Sequence, residues 1–82
     1  MKVQVLGTGC PKCTLLAERV AAAAREQSLT LELEKVTDIQ QILAFGVLST
    51  PALVVDGTLR FSGRVPEVAE LGALLGAASR GE

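Results

Sequence analysis

Both cysteines of this 82-residue chain lie in one short stretch, Gly7-Thr8-Gly9-Cys10-Pro11-Lys12-Cys13. Two thiols three positions apart can cycle between dithiol and disulfide, hold a soft metal ion, or sit inert in a core. Their flanks favour the first. Val3-Gln4-Val5-Leu6 reads as a strand, Gly7 and Gly9 as a tight loop, and an alanine- and leucine-rich helical pattern begins right after Cys13. Pro11 suits a first helical turn, where its missing N–H is not needed, so Cys10 falls at the helix cap and Cys13 inside the first turn. A helix start presents unpaired N–H groups and the positive end of the dipole, both of which favour a thiolate at Cys10. The chemistry suggested is thiol–disulfide exchange. Lys12 either lowers a thiolate pKa by its positive charge or stands solvated in the first turn.

Metal chemistry fits less well. Two ligands cannot complete a tetrahedral zinc site, and the chain has no His, so no metal and no cofactor is expected. Cu(I) carriage is the main rival, because soft thiolates suit that ion. Copper chaperones also place a Cys-x-x-Cys after a first strand, but in a βαββαβ order and with Met two residues before the first Cys, where this chain has Thr8. A non-catalytic adaptor is the third reading. Gly7-x-Gly9 begins like a dinucleotide fingerprint but lacks the third glycine.

The elements that must present the cysteines can be read along the chain. A first strand is expected over Lys2–Leu6, covered on both faces, and a helix over Pro11–Gln27 with a buried stripe of Leu16, Val20, Ala23 and Ala24. Leu29-Thr30-Leu31-Glu32-Leu33-Glu34 alternates strictly, predicting an edge strand with one buried face. Thr37 and Gln40 form a capping-box pattern before a short helix that buries Ile39, Ile42 and Leu43 and ends at Gly46. Ala52-Leu53-Val54-Val55 and Thr58-Leu59-Arg60-Phe61, joined by Asp56-Gly57, predict a hairpin. Pro66, Glu67 and Glu70 open a last helix with the stripe Val68, Leu71, Leu74 and Leu75, and residues 77–82 are expected to fray. The order is βαβαββα, an α/β fold with a four-stranded mixed sheet flanked by helices, and one domain over residues 1–82.

Composition excludes several classes of function. The net charge is −1 with eight scattered basic residues, so neither a nucleic-acid stripe nor a polybasic membrane patch is present. Met1-Lys2-Val3-Gln4-Val5 enters the first strand without a signal peptide's apolar run, and no apolar segment is long enough to span a bilayer. A cytoplasmic location is expected, where a close cysteine pair is more often redox-active than a structural staple. As a staple, so small a ring would contribute roughly 2 kcal/mol at best.

The element order, Cys10-Pro11-Lys12-Cys13 after the first strand, and Ser49-Thr50-Pro51 before the third strand together resemble the thioredoxin superfamily. Closest is the compact glutaredoxin-like family of redox-active disulfide proteins, by Gly7–Cys13, Thr50–Gly57 and Ser62–Pro66. The resemblance covers nearly the whole chain. It implies that Cys10 is the nucleophile and that Cys13 is the resolving thiol closing a Cys10–Cys13 disulfide. It further implies a cis Thr50–Pro51 bond beside the cysteines, with Pro11, Lys12, Thr50 and Pro51 forming the face that meets a protein disulfide substrate. A reductase donor and a monomeric state are expected. Gly9 stands where thioredoxins usually carry Trp, and Met1–Leu6 holds none of the acid they use near the resolving thiol. Lys12 and Ser62-Gly63-Arg64-Val65 depart from the Cys-Pro-Tyr-Cys and Gly-Gly-x-Asp of glutathione-using glutaredoxins, which argues against glutathione dependence. Arg64 reads either as a contact for an anion or partner or as a solvated loop charge.

Overall fold

The first strand, β1 (Lys2–Leu6), is the element against which the rest of the molecule is laid. In the computed structural model, which describes residues 1–81, it is followed by α1 (Pro11–Glu26), β2 (Glu32–Val36), α2 (Ile39–Ala44), β3 (Ala52–Val55), β4 (Thr58–Ser62) and α3 (Val68–Ser79). This is the βαβαββα order read from the sequence. The strands lie in the order β2-β1-β3-β4. A crossover through α1 lets β1 and β2 run parallel, whereas β1–β3 and β3–β4 are antiparallel. The hairpin turns on Asp56 and Gly57, both at left-handed φ (48° and 84°), as a two-residue hairpin loop requires.

Apolar patterning builds a core on each face of the sheet. Val3, Val5, Leu53 and Val55 pack with Leu16, Ala17, Val20 and Ala23 of α1 and with Leu71 and Leu75 of α3. On the other face Leu6, Ala52 and Val54 meet Val36, Ile42 and Val47. β3 is buried at every position, which explains its unbroken apolar run.

Several local expectations need correction. α1 ends at Glu26, with Gln27 as its cap. β2 begins at Glu32 rather than Leu29, because the preceding residues reverse the chain. Ser28 takes φ 55°, the Leu29 N–H donates to the Ala24 carbonyl at 2.8 Å, and Leu29 and Leu31 lean half-buried on the α1–α3 core. Pairing starts where the Glu32 N–H reaches the Met1 carbonyl, at 2.9 Å. β2 lies at the sheet edge, but Val36 is its one buried residue, so no face of it is buried throughout.

α2 is capped by Asp38, whose Oδ1 accepts from the Gln40 N–H at 2.9 Å, and not by Thr37. Of its predicted buried side, Ile42 alone is covered; Ile39 and Leu43 are 60% and 56% exposed. A helix of six residues presents less than two turns to the sheet, and Phe45 and Val47 complete the packing there. α3 runs on through Ala77, Ala78 and Ser79, residues expected to fray. Ala78 packs on the core, the Ser79 hydroxyl donates to the Gly76 carbonyl at 2.8 Å, and Gly72 and Gly76 make room for the Gln27 side chain. Residue 82 of the expected tail lies outside the described residues. No helix among the described residues is long and apolar enough to cross a membrane.

Candidate active site

Cys10 is the N-cap of α1, in extended conformation (φ −68°, ψ 161°), and Pro11 opens the helix. The Cys10 Sγ accepts a hydrogen bond from the Cys13 N–H at 3.3 Å, and the Cys10 carbonyl takes the Thr14 N–H at 3.1 Å. A sulfur in the place of a capping oxygen faces the donors and dipole of the helix start, the setting that favours its anion. The two sulfurs are joined in a disulfide with Cα atoms 5.1 Å apart. Their surroundings differ. Cys10 is half-exposed beside exposed Pro11 and Lys12, whereas Cys13 is 6% exposed within the first turn.

Two glycines make that loop possible. Gly9 has φ +89° with no atom near its missing Cβ, so it is needed for backbone conformation. Gly7 is buried without a left-handed φ, and a Cβ there would overlap Cys13 Sγ and lie 3.9 Å from the Thr50 Cβ. Gly7 is therefore the point at which β1, Cys13 and the loop before β3 come together.

That loop carries Thr50, which is exposed, and Pro51, which is fully buried; the bond between them is cis. The Pro51 carbonyl accepts from the Gly63 N–H at 2.8 Å, tying the loop to the end of β4. Cys10, Pro11, Lys12 and Cys13 thus lie on the start of one helix, and Thr50 comes alongside them across Gly7. Arg64 lies half-exposed in the loop between β4 and α3, where its charge is paired within the chain. Its Nη2 donates to Glu70 Oε2 at 2.6 Å and its guanidinium lies 5.0 Å from the Phe61 ring centroid. The hydrogen bond holds the Glu70 carboxyl below its ordinary range and raises Arg64.

A cleft of about 30 Å³ opens beside the buried cysteine, lined by Val5, Gly7, Gly9, Cys13, Thr14, Lys35 and Thr37. Sequence reasoning gave no site role to Gly7, Thr14, Lys35 or Thr37. The signal for Lys35 was its register: next to buried Val36 on a parallel neighbour of β1, it must turn to the face of α1. Gly7 could be read as a loop glycine but not as the contact of a sulfur six residues on, and Thr37 was taken for a helix cap.

A family model described as a thioredoxin domain matches residues 1–76. The chain is 39% identical over 75 residues to a thioredoxin of Methanothermobacter thermautotrophicus, covering 92% of this chain and 97% of that protein. It is 38% identical over 69 residues to a thioredoxin of Methanocaldococcus jannaschii, covering 84% and 79% respectively. A probable thioredoxin of Methanothermobacter thermautotrophicus is 30% identical over 57 residues.

Proposed function

The chain belongs to the thioredoxin family and is a thiol–disulfide oxidoreductase; from that premise we propose that Cys10 attacks protein disulfides and Cys13 resolves the product. The observation that carries this reading is the unequal placing of the two sulfurs, with half-exposed Cys10 capping α1 and Cys13 buried behind it. In the first step the Cys10 thiolate bonds to one sulfur of the partner, and the partner S–S bond breaks to give a thiolate that takes a proton from solvent. In the second step Cys13 sulfur bonds to Cys10 Sγ and expels the remaining partner thiolate. Two electrons pass from the dithiol to the partner, and a reductase donor restores the dithiol. Exposed Pro11, Lys12 and Thr50 frame the approach to Cys10, and Pro51 fixes the floor beneath Thr50. A cytoplasmic setting fits a chain that commits both its cysteines to one exchange motif.

Insulin-disulfide reduction tests the roles. Cys10→Ser is expected to abolish turnover. Cys13→Ser is expected to accumulate a mixed disulfide through Cys10, visible by mass spectrometry, because no thiol remains to resolve it. Faster alkylation of Cys13 than of Cys10 in the reduced protein, or trapping by the Cys10→Ser chain instead, would reverse the assignment.

A further inference from the structure

Cys10 and Thr50 meet an approaching partner from different elements, the start of α1 and the loop before β3, so their separation is set by whatever fastens one to the other. Gly7 does so from below. A second fastening begins at Arg19, about two and a half turns beyond Cys10 on α1. The Arg19 Nη1 donates to the Val65 carbonyl at 3.3 Å and to the Pro66 carbonyl at 3.1 Å, and lies 3.6 Å from Glu67 Oε1. These three residues form the entry to α3.

That entry is not fixed by a cap of its own. Glu67 is the N-cap of α3, but its side chain makes no capping hydrogen bond, so the first turn lacks the contact that ordinarily fixes where a helix begins. Leu71 and Leu75 pack α3 onto α1 a turn or more beyond this point. On the other side of Val65, the Gly63 N–H donates to the Pro51 carbonyl at 2.8 Å. Gly63 takes φ +80°, and its missing Cβ would lie 3.1 Å from the Ser49 Cβ, so a side chain there would press on the proline loop. The contacts therefore run without a break from Arg19 through Val65 and Pro66 to Gly63, and from Gly63 to Ser49 and Pro51 on either side of Thr50. The Arg19 Cα stands about 13 Å along the helix axis from that of Cys10 and its charge faces Glu67, which leaves position rather than charge as its means of acting on the site.

We propose that Arg19 is a positioning residue for exchange with protein disulfides: it holds the segment that holds the proline loop, and so sets how far Thr50 stands from Cys10. This rests on the exchange roles proposed above, with Thr50 on the face that meets the partner. A protein disulfide must lie in the gap between the two residues, and its capture depends on the width of that gap. A small disulfide needs only the exposed side of Cys10. Freeing the segment therefore weakens the hold on a protein partner and leaves the nucleophile as reactive as before. Arg suits the task better than Lys, because the N–H groups of a planar guanidinium meet two successive carbonyls in fixed directions.

The test compares two disulfides on the reduced two-cysteine chain. One is insulin, with dithiothreitol recycling the chain; the other is dithiobis(nitrobenzoate), a small aromatic disulfide that takes both electrons of the dithiol and releases coloured thiolates. Arg19→Met is expected to raise KM for insulin about three- to tenfold through the lost hydrogen bonds, while kcat and the small-disulfide rate stay within about twofold of the unmodified chain. Arg19→Lys should recover part of the loss. Arg19→Gln, which keeps an amide donor on a shorter stem, should show a smaller split of the same kind and stands in where the Met chain does not fold. Glu67→Gln should stay within about twofold, because its side chain is 83% exposed. Gly63→Ala strikes the other end of the same path and should reproduce the split. An unchanged KM for insulin in the Arg19 or Gly63 variants, or an equal fall with both disulfides, would overturn the assignment. Cys10→Ser with Arg19 in place reads the exchange roles separately, so failure of those roles and failure of the Arg19 assignment give different results.

Discussion

Gly7 and Gly9 flank a single threonine and are glycine for unlike reasons, which makes them a useful pair of probes. Gly9→Ala forces a side chain onto φ +89° with open space around it, and is expected to cost about 1–2 kcal/mol. Gly7→Ala meets Cys13 Sγ instead; overpacking of that kind costs about 1–3 kcal/mol and displaces the sulfur. Urea denaturation should show both losses, but the Gly7 change alone should also slow the resolving step, measured as release from a Cys10 mixed disulfide. A Gly7→Ala chain with unchanged resolution would show that the sulfur has room to move. The cysteines and the proline loop were legible in the sequence because each is a local pattern. The reason for Gly7 was not, since its contact is made only after β1, α1 and the loop before β3 have come together.

At the scale of elements, the sequence spoke clearly where a segment is covered on both faces or runs for several turns. β1, α1, the hairpin and the start of α3 lie within a residue or two of where periodicity puts them. β2 and α2 did not, because both lie where the sheet and its cover run out. Leu29 and Leu31 alternate as if in a strand but are used in the reversal after α1, and α2 is too short for all three of its large apolar residues to reach the sheet. Substitution separates the exposed from the buried. Ile42→Ala should cost about 2–5 kcal/mol, whereas Ile39→Ala and Leu43→Ala should each stay within about 0.5 kcal/mol. Chemical denaturation of the three variants checks this, and a large loss at Ile39 would contradict the packing described for α2.

Over the whole molecule, charge is sparse and nearly balanced, at eight basic and nine acidic residues, so acid lability depends on few groups. Glu70 is one of them, held below the ordinary carboxylate range by its hydrogen bond to Arg64. A lowered carboxyl value stabilises the fold above the unfolded-state range, and the benefit is lost as pH falls through the lowered value. Glu70→Gln should therefore melt slightly below the unmodified protein at neutral pH, with the difference closing under acid and shrinking with salt. A gap that persisted in acid would point to packing rather than charge. The sheet has a different exposure at its two margins. β2 and β4 each offer backbone groups to which a strand of another molecule could add. β2 sets Glu32, Glu34 and Lys35 along that margin, and charges must be stripped of water before an intruding strand can settle. β4 is broken in register opposite Leu53 and Val54, with Arg60 as the extra residue, so its margin is kinked where a flat template would be needed. The sheet is in this way defended, by charge on one side and shape on the other, against being lengthened by a strand of another molecule.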